Sequence, residues 1–198
     1  MTERLAETLP AFRMAIRANI ERLWSGRGSL ERFLRDMVAD IERELTNAWY
    51  EGAAEMGVAA EELSSIEKRA LAIAINEQVI HVTDFGAYIV EHSKKNKGQL
   101  TPLLFRGDMW INAYNRVQNQ ARILAGADRK LMWVRGPTRD SCRDCLRYDG
   151  RVYRASTWSG HGISTQNPRL ACHGYNCLCQ LIPTDAPLNK GRPPGMTG

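Results

Sequence analysis

Cysteine carries the clearest chemistry in this chain. None precedes position 142, and five then fall within 38 residues. Cys142 and Cys145 form C-x2-C, 26 residues follow, and Cys172, Cys177 and Cys179 form C-x4-C-x-C. A C-x2-C turn presents two sulfurs to one point. A second group of sulfurs brought up by a loop closes a tetrahedral shell around zinc, with Zn–S near ~2.3 Å. An odd number of cysteines, in a chain whose first residues MTERLAETLP lack the apolar core of an export signal, argues against a disulfide framework. Five cysteines compete for four positions, and His173 is a sixth candidate. If residues 177–182 form a strand, Cys177 and Cys179 face one side with Cα atoms about 6.5 Å apart. Cys142, Cys145 and Cys172 plus one of that pair, Cys177 before Cys179, is the expected ligand set. A closed sulfur shell leaves no position for water, so a single structural Zn2+ is expected rather than a catalytic one. Disulfide pairing, an iron–sulfur cluster and unligated thiols are the competing readings.

Other candidates are weaker. His161, between Gly160 and Gly162, could be a nuclease base, but a lone histidine in a glycine-rich loop reads as a surface residue. Asp140, Asp144 and Asp149 surround the first cysteine pair and read as turn caps that offset nearby arginines, rather than as a nuclease metal site. Trp110, Tyr114, Trp133, Tyr148, Tyr153 and Trp158 interleave with Arg135, Arg139, Arg143, Arg147, Arg151 and Arg154. That could be a stacking and phosphate surface; the favoured reading is an aromatic core with solvated arginines. There is no glycine-rich phosphate loop, nucleophile elbow or convincing triad, so the residues point to a binding or assembly protein, not an enzyme.

The elements that must position the cysteines are mainly helical. Residues 3–24 carry Phe12, Ile16, Ile20 and Leu23 at helical spacing, with Pro10 a potential break. Residues 30–57 carry Phe33, Met37, Ile41, Leu45 and Trp49 in the same way. Ser64 and Glu67 form a capping-box signature for a third helix to about Ser93, with Gly86 marking a kink or a close helix contact. Thr101 and Pro102 open a fourth, which ends at Gly126. Beyond it, residues 131–135 read as a strand, and Asp149–Gly150 as a hairpin turn between Leu146–Tyr148 and Val152–Tyr153. The expected architecture is mainly α: a body of about four helices over 1–126, a small zinc-stabilised β-rich module over 127–185, and a flexible tail over 186–198.

Charge is uneven. Residues 1–127 hold 16 Lys+Arg against 17 Asp+Glu, whereas 128–198 hold 11 against 5. Four thiolates on one zinc would lower that excess of +6 to about +4, which permits contact with DNA or an acidic protein through the basic C-terminal module. The longest apolar run, Ala70–Ile75, is far too short for a bilayer, so a soluble protein with no membrane partner is expected.

The segment WVRGPTRDSCRDCLRYDGRVY from Trp133 to Tyr153, followed by PRLACHGYNCLCQLIP from Pro168 to Pro183, resembles the C-terminal module of tailed-phage head-morphogenesis proteins. These are the minor head proteins related to phage Mu's F protein. Trp133, Thr138, Asp140, Cys142, Cys145, Asp149, Gly150, Cys177, Cys179 and Pro183 fit the order of that family's pattern. The usual H-P-x-C-R-C close is replaced by CHGYNCLC, so Cys172 stands in for the family's histidine, and Leu178 stands where arginine is common. The resemblance covers about 50 residues and implies a minor head protein of the virion or prohead, present in few copies within a multi-copy assembly, in the host cytoplasm during assembly. Its implied partners are portal and capsid proteins, in head assembly or DNA delivery. A zinc-folded DNA-binding protein is the alternative, and an HNH-type nuclease a more distant one.

Overall fold

The computed structural model describes residues 2–137, 140–174 and 177–197. Thr138 and Arg139, which belong to the motif segment, lie outside the described residues. The fold is mainly helical with a small three-stranded sheet near the C-terminus, as the pattern of apolar residues predicts. The helices are α1 (Thr2–Trp24), α2 (Leu30–Glu55), α3 (Ser65–Val79), α4 (Val82–Glu91), α5 (Leu100–Gly126), α6 (Arg143–Tyr148) and α7 (Ala155–Gly160). The strands are β1 (Lys130–Val134), β2 (Val152–Arg154) and β3 (Gln180–Pro183). Among the described residues no helix is long and apolar enough to cross a membrane.

The chain forms two compact units. The first holds residues up to Asn47 and Leu71–Tyr114. Its core is the set of helical-period residues, Phe12, Ile16, Ile20, Phe33, Met37, Ile41, Phe85, Ile89 and Trp110, all buried. Pro10 sits inside α1 without ending it, and Gly86 is the site of a close helix contact, since a Cβ there would lie 2.7 Å from Leu30 and 3.2 Å from Phe33. The expected third helix is instead two. Trp110 Nε1 donates to the Gln78 carbonyl at 3.2 Å, and His81 N turns back onto the same oxygen at 3.4 Å. That carbonyl is the one Val82 would need to continue the helix, so α3 stops and α4 restarts.

The second unit holds Ala48–Ala70 and everything from Asn115 onward. The cysteine-bearing segments therefore fold together with the ends of α2 and α5 as one unit. The capping box is present here: Glu67 N donates to Ser64 Oγ at 3.2 Å and Ser64 N to Glu67 Oε2 at 2.9 Å. The sheet order is β2-β1-β3, all antiparallel, with Met132 opposite Val152 on one side and Ile182 on the other. The Asp149–Gly150 turn is not a hairpin. Residues 143–148 are helical, because the Cys142 sulfur and carbonyl cap and seed α6 through Cys145 N and Leu146 N, and the turn leads from that helix into β2. Both β2 and β3 pair with β1 rather than with each other.

A buried polar network ties helix to sheet. Arg122, 2% exposed, forks onto Glu55 at 2.7 and 2.9 Å and reaches Asn119 Oδ1 at 3.1 Å. The same Asn119 oxygen accepts from Leu181 N of β3 at 2.8 Å. Removing the guanidinium strands a buried carboxylate. Arg122→Met is expected to cost roughly 3–5 kcal/mol in denaturant unfolding, and Arg122→Met combined with Glu55→Leu distinctly less, because the double variant leaves no unpaired charge.

Candidate metal centre

The five cysteines converge from three segments. Cys142 is the N-cap of α6 and Cys145 lies in its first turn; the Cys145 N–H donates to Cys142 Sγ at 3.4 Å. Cys172 sits in the turn after Leu170, and Cys177 and Cys179 lie in extended chain before β3 rather than within it. The sulfurs of Cys142, Cys145 and Cys172 all fall within 4.8 Å of one another, and so do those of Cys145, Cys177 and Cys179. Cys145 is thus within reach of each of the others. Cys145, Cys177 and Cys179 are buried, Cys142 and Cys172 half-buried.

Two glycines let these segments approach. A Cβ on Gly136 would lie 2.2 Å from the Leu178 carbonyl, so only glycine admits the cysteine pair beside the end of β1. Gly174 has φ +76° and would meet the Gln166 carbonyl at 2.4 Å. Gln166 is itself buried and donates to the Cys177 carbonyl at 2.7 Å, which stitches the loop before Cys172 to the segment after it. Beneath the sulfurs lies an aromatic cluster. Trp133 packs on Tyr148 at 4.9 Å and on Trp158 at 5.9 Å, and Tyr153 meets Trp158 edge-on at 5.0 Å. The four rings are buried, so the aromatic-core reading holds for them, and they share that core with Cys145, Cys177 and Cys179.

The surroundings distribute charge unequally over the sulfurs. Cys145 is raised because its thiol donates to Cys177 and Cys179. Cys179 is lowered by accepting from Cys145 and Cys177, and the Gly136 N–H adds to this. Burial pushes Cys142 up, but N–H groups of Cys145 and Asp144 and the neighbouring thiols outweigh it and hold it below the usual range. Burial carries Cys172 up to about 11. Peptide N–H groups aimed at sulfur are what a cluster of metal-bound thiolates requires. The donor set also fits in size. A tetrahedral metal–thiolate bond of ~2.3 Å implies sulfurs ~3.8 Å apart, and Cys145 Sγ lies 3.8 Å from Cys177 Sγ. The site can hold a metal ion.

The remaining candidates fall elsewhere. His173 is exposed, with Nδ1 against the Pro168 carbonyl at 3.2 Å, and does not join either sulfur group. His161 is exposed and bonds the Thr157 carbonyl through Nδ1 at 2.9 Å. Asp149 bonds the Arg135 N–H at 3.1 Å and its guanidinium at 2.7 Å, as a turn residue offsetting an arginine should. Asp140 is exposed. Asp144 is different. It is fully buried and accepts from Ala171 N at 2.8 Å, Thr197 N at 3.1 Å and Thr197 Oγ1 at 2.6 Å.

Thr197 belongs to the segment expected to be a flexible tail, and that expectation is corrected. Asn189 exchanges hydrogen bonds with Val152, its N–H donating to the Val152 carbonyl at 2.9 Å and its side-chain oxygen accepting from Val152 N at 2.7 Å. Tyr148 OH donates to the Pro194 carbonyl at 2.7 Å, Arg147 to the Gly195 carbonyl at 3.2 Å and Arg143 to the Thr197 carbonyl. Residues 186–197 are a strap across the module. Composition hides it because the strap is held through its backbone carbonyls, which every sequence has.

Comparison with protein-family models, with curated proteins and with solved structures finds no match to this chain. The arrangement itself therefore defines the site. Because Cys145 belongs to both sulfur groups, Cys145→Ser is expected to lower metal uptake more than Cys142→Ser or Cys179→Ser, measured by titrating the reduced protein with cobalt(II) and reading thiolate charge-transfer absorbance.

Proposed function

We propose that this chain is a zinc-folded minor head protein of a tailed phage, acting by binding in portal and capsid assembly or in DNA delivery. What supports the reading is that several of the described residues carrying the family resemblance, spread from Trp133 to Pro183, come together at one place. The Gly150 N–H donates to the Trp133 carbonyl at 2.8 Å. Pro183 pairs with Leu131 in the β1–β3 ladder, and Asp149 anchors Arg135. Cys145, Cys177 and Cys179 belong to the same core, and Cys142 and Cys172 pack against it. Residues with such mutual contacts form a module, not a chance string.

Zinc is the metal this donor set favours, since thiolates without an open water position suit a structural zinc. The ligands would be Cys142, Cys145, Cys172 and Cys177, with Cys179 the leftover thiol packed against them. When bound, zinc would supply folding free energy, on the order of 10–16 kcal/mol in isolated finger peptides. The chain's own contribution is a scaffold that presents surfaces. Its arginines are largely occupied: Arg143 and Arg147 hold the strap, Arg151 donates to the Arg147 carbonyl at 2.7 Å, and Arg135 pairs with Asp149. Many copies in an assembly would multiply a modest contact.

Two measurements test this. Elemental analysis of the purified protein should find about one zinc per chain, and Cys177→Ser should release it whereas Cys179→Ser should not. Particles and proheads sedimented from cells co-expressing the protein with portal and capsid proteins should contain it, by mass spectrometry. Salt-sensitive, sequence-specific binding to short duplexes without association to particles would replace this reading with that of a DNA-binding zinc protein.

A further inference from the structure

We propose that Asp144 is the positioning residue of the cysteine centre, acting through the strap that ends at Thr197; this rests on the metal-binding reading of the same site. Asp144 stands inside the C-x2-C, one residue before Cys145, on a helix whose exposed face would be its ordinary place. Instead its carboxylate is fully buried. Arg147, the nearby cation, is exposed and 3.8 Å away, too far for a hydrogen bond. The carboxylate is spent on backbone N–H groups and one hydroxyl. Oδ2 accepts from Ala171 N at 2.8 Å, and Ala171 is the residue before Cys172. Oδ1 accepts from Thr197 Oγ1 at 2.6 Å and from its N–H at 3.1 Å.

One side chain therefore joins the helix carrying Cys142 and Cys145, the turn carrying Cys172, and the strap. Cys142 and Cys145 are already fixed to each other by α6, through the N–H···S bond at 3.4 Å. Cys172 is only half-buried, and its turn meets the helix at Asp144. A metal leaving the site must first lose an arm, and the Cys172 arm is the one Asp144 holds closed. Thr197 completes the grip by satisfying the other oxygen, so that the carboxylate cannot rotate away from Ala171 without breaking charge-assisted hydrogen bonds.

The test compares full-length wild type, Asp144→Asn and Thr197→Val, each loaded with cobalt(II) or zinc. The rate of metal transfer to a chromophoric chelator and the cobalt d–d spectrum are read. Asp144→Asn turns one acceptor into a donor facing N–H groups. It is expected to speed release about tenfold or more, the scale typical of outer-shell substitutions. Its thiolate charge-transfer bands should persist while its d–d bands shift, a change that loss of fold stability alone would not produce in the loaded fraction. Thr197→Val, at an exposed position, should speed release several-fold. Release at the wild-type rate with wild-type bands in both variants overturns the proposal. Should Asp144→Asn fail to fold, Thr197→Val decides: faster release supports the grip, an unchanged rate overturns it. A wild type that takes up neither cobalt nor zinc sinks the metal-binding reading itself, and this inference with it.

Discussion

Packing several sulfurs within 4.8 Å of one another is tolerable only if their charge is managed. As thiols they bury weak donors; as thiolates they repel. The second unit resolves this by setting N–H groups of Gly136, Asp144 and Cys145 against the sulfurs, and by a sulfur spacing that suits a metal ion. The rest of the module leans on that solution. Its helices α6 and α7 are six residues each and its strands three to five, and no element of that size is stable by itself. What orders them is a shared centre, in which sulfurs and four aromatic rings pack in one core.

The same economy governs the basic residues. An excess of +6 over residues 128–198 looks like an electrostatic surface when read as composition. In the fold much of it is internal rigging: Arg143 and Arg147 grip strap carbonyls, Arg154 reaches the Asp128 carbonyl at 2.6 Å, and Lys130 those of Asp185 and Ala186 at 2.7 and 3.0 Å. Guanidinium groups suit this work because their forked donors meet carbonyls the turns leave unpaired.

The helical stripes were legible in the sequence because burial on one face imposes a period, and the residues read as core in α1 and α2 are core. The metal-ligand candidates were legible because sulfur at such spacing has few other uses. What escaped was long-range and polar. The break between α3 and α4 depends on an indole from α5 taking one carbonyl, and periodicity holds no trace of it. The role of Asp144 depends on Ala171 and Thr197, residues with no chemical signature of their own. The Asp149–Gly150 turn was recognised as a turn, but the element before it was misread because six residues of Arg143–Tyr148 carry too little pattern to tell helix from strand. Only the Cys142 cap settles it, and cysteine is not a residue one looks to for capping.

The small sheet has two outer strands, and each has part of its outer backbone taken up by an asparagine. Along β2, Val152 is closed off by Asn189 from the strap; along β3, the Leu181 N–H is taken by Asn119 from α5. An asparagine side chain imitates the peptide group a neighbouring strand would offer, and it does so without presenting a further edge of its own. The sheet is thereby blunted at these positions against recruiting a stray strand, and contact there is left to side chains, where recognition is selective, rather than to backbone ladders, where it is not.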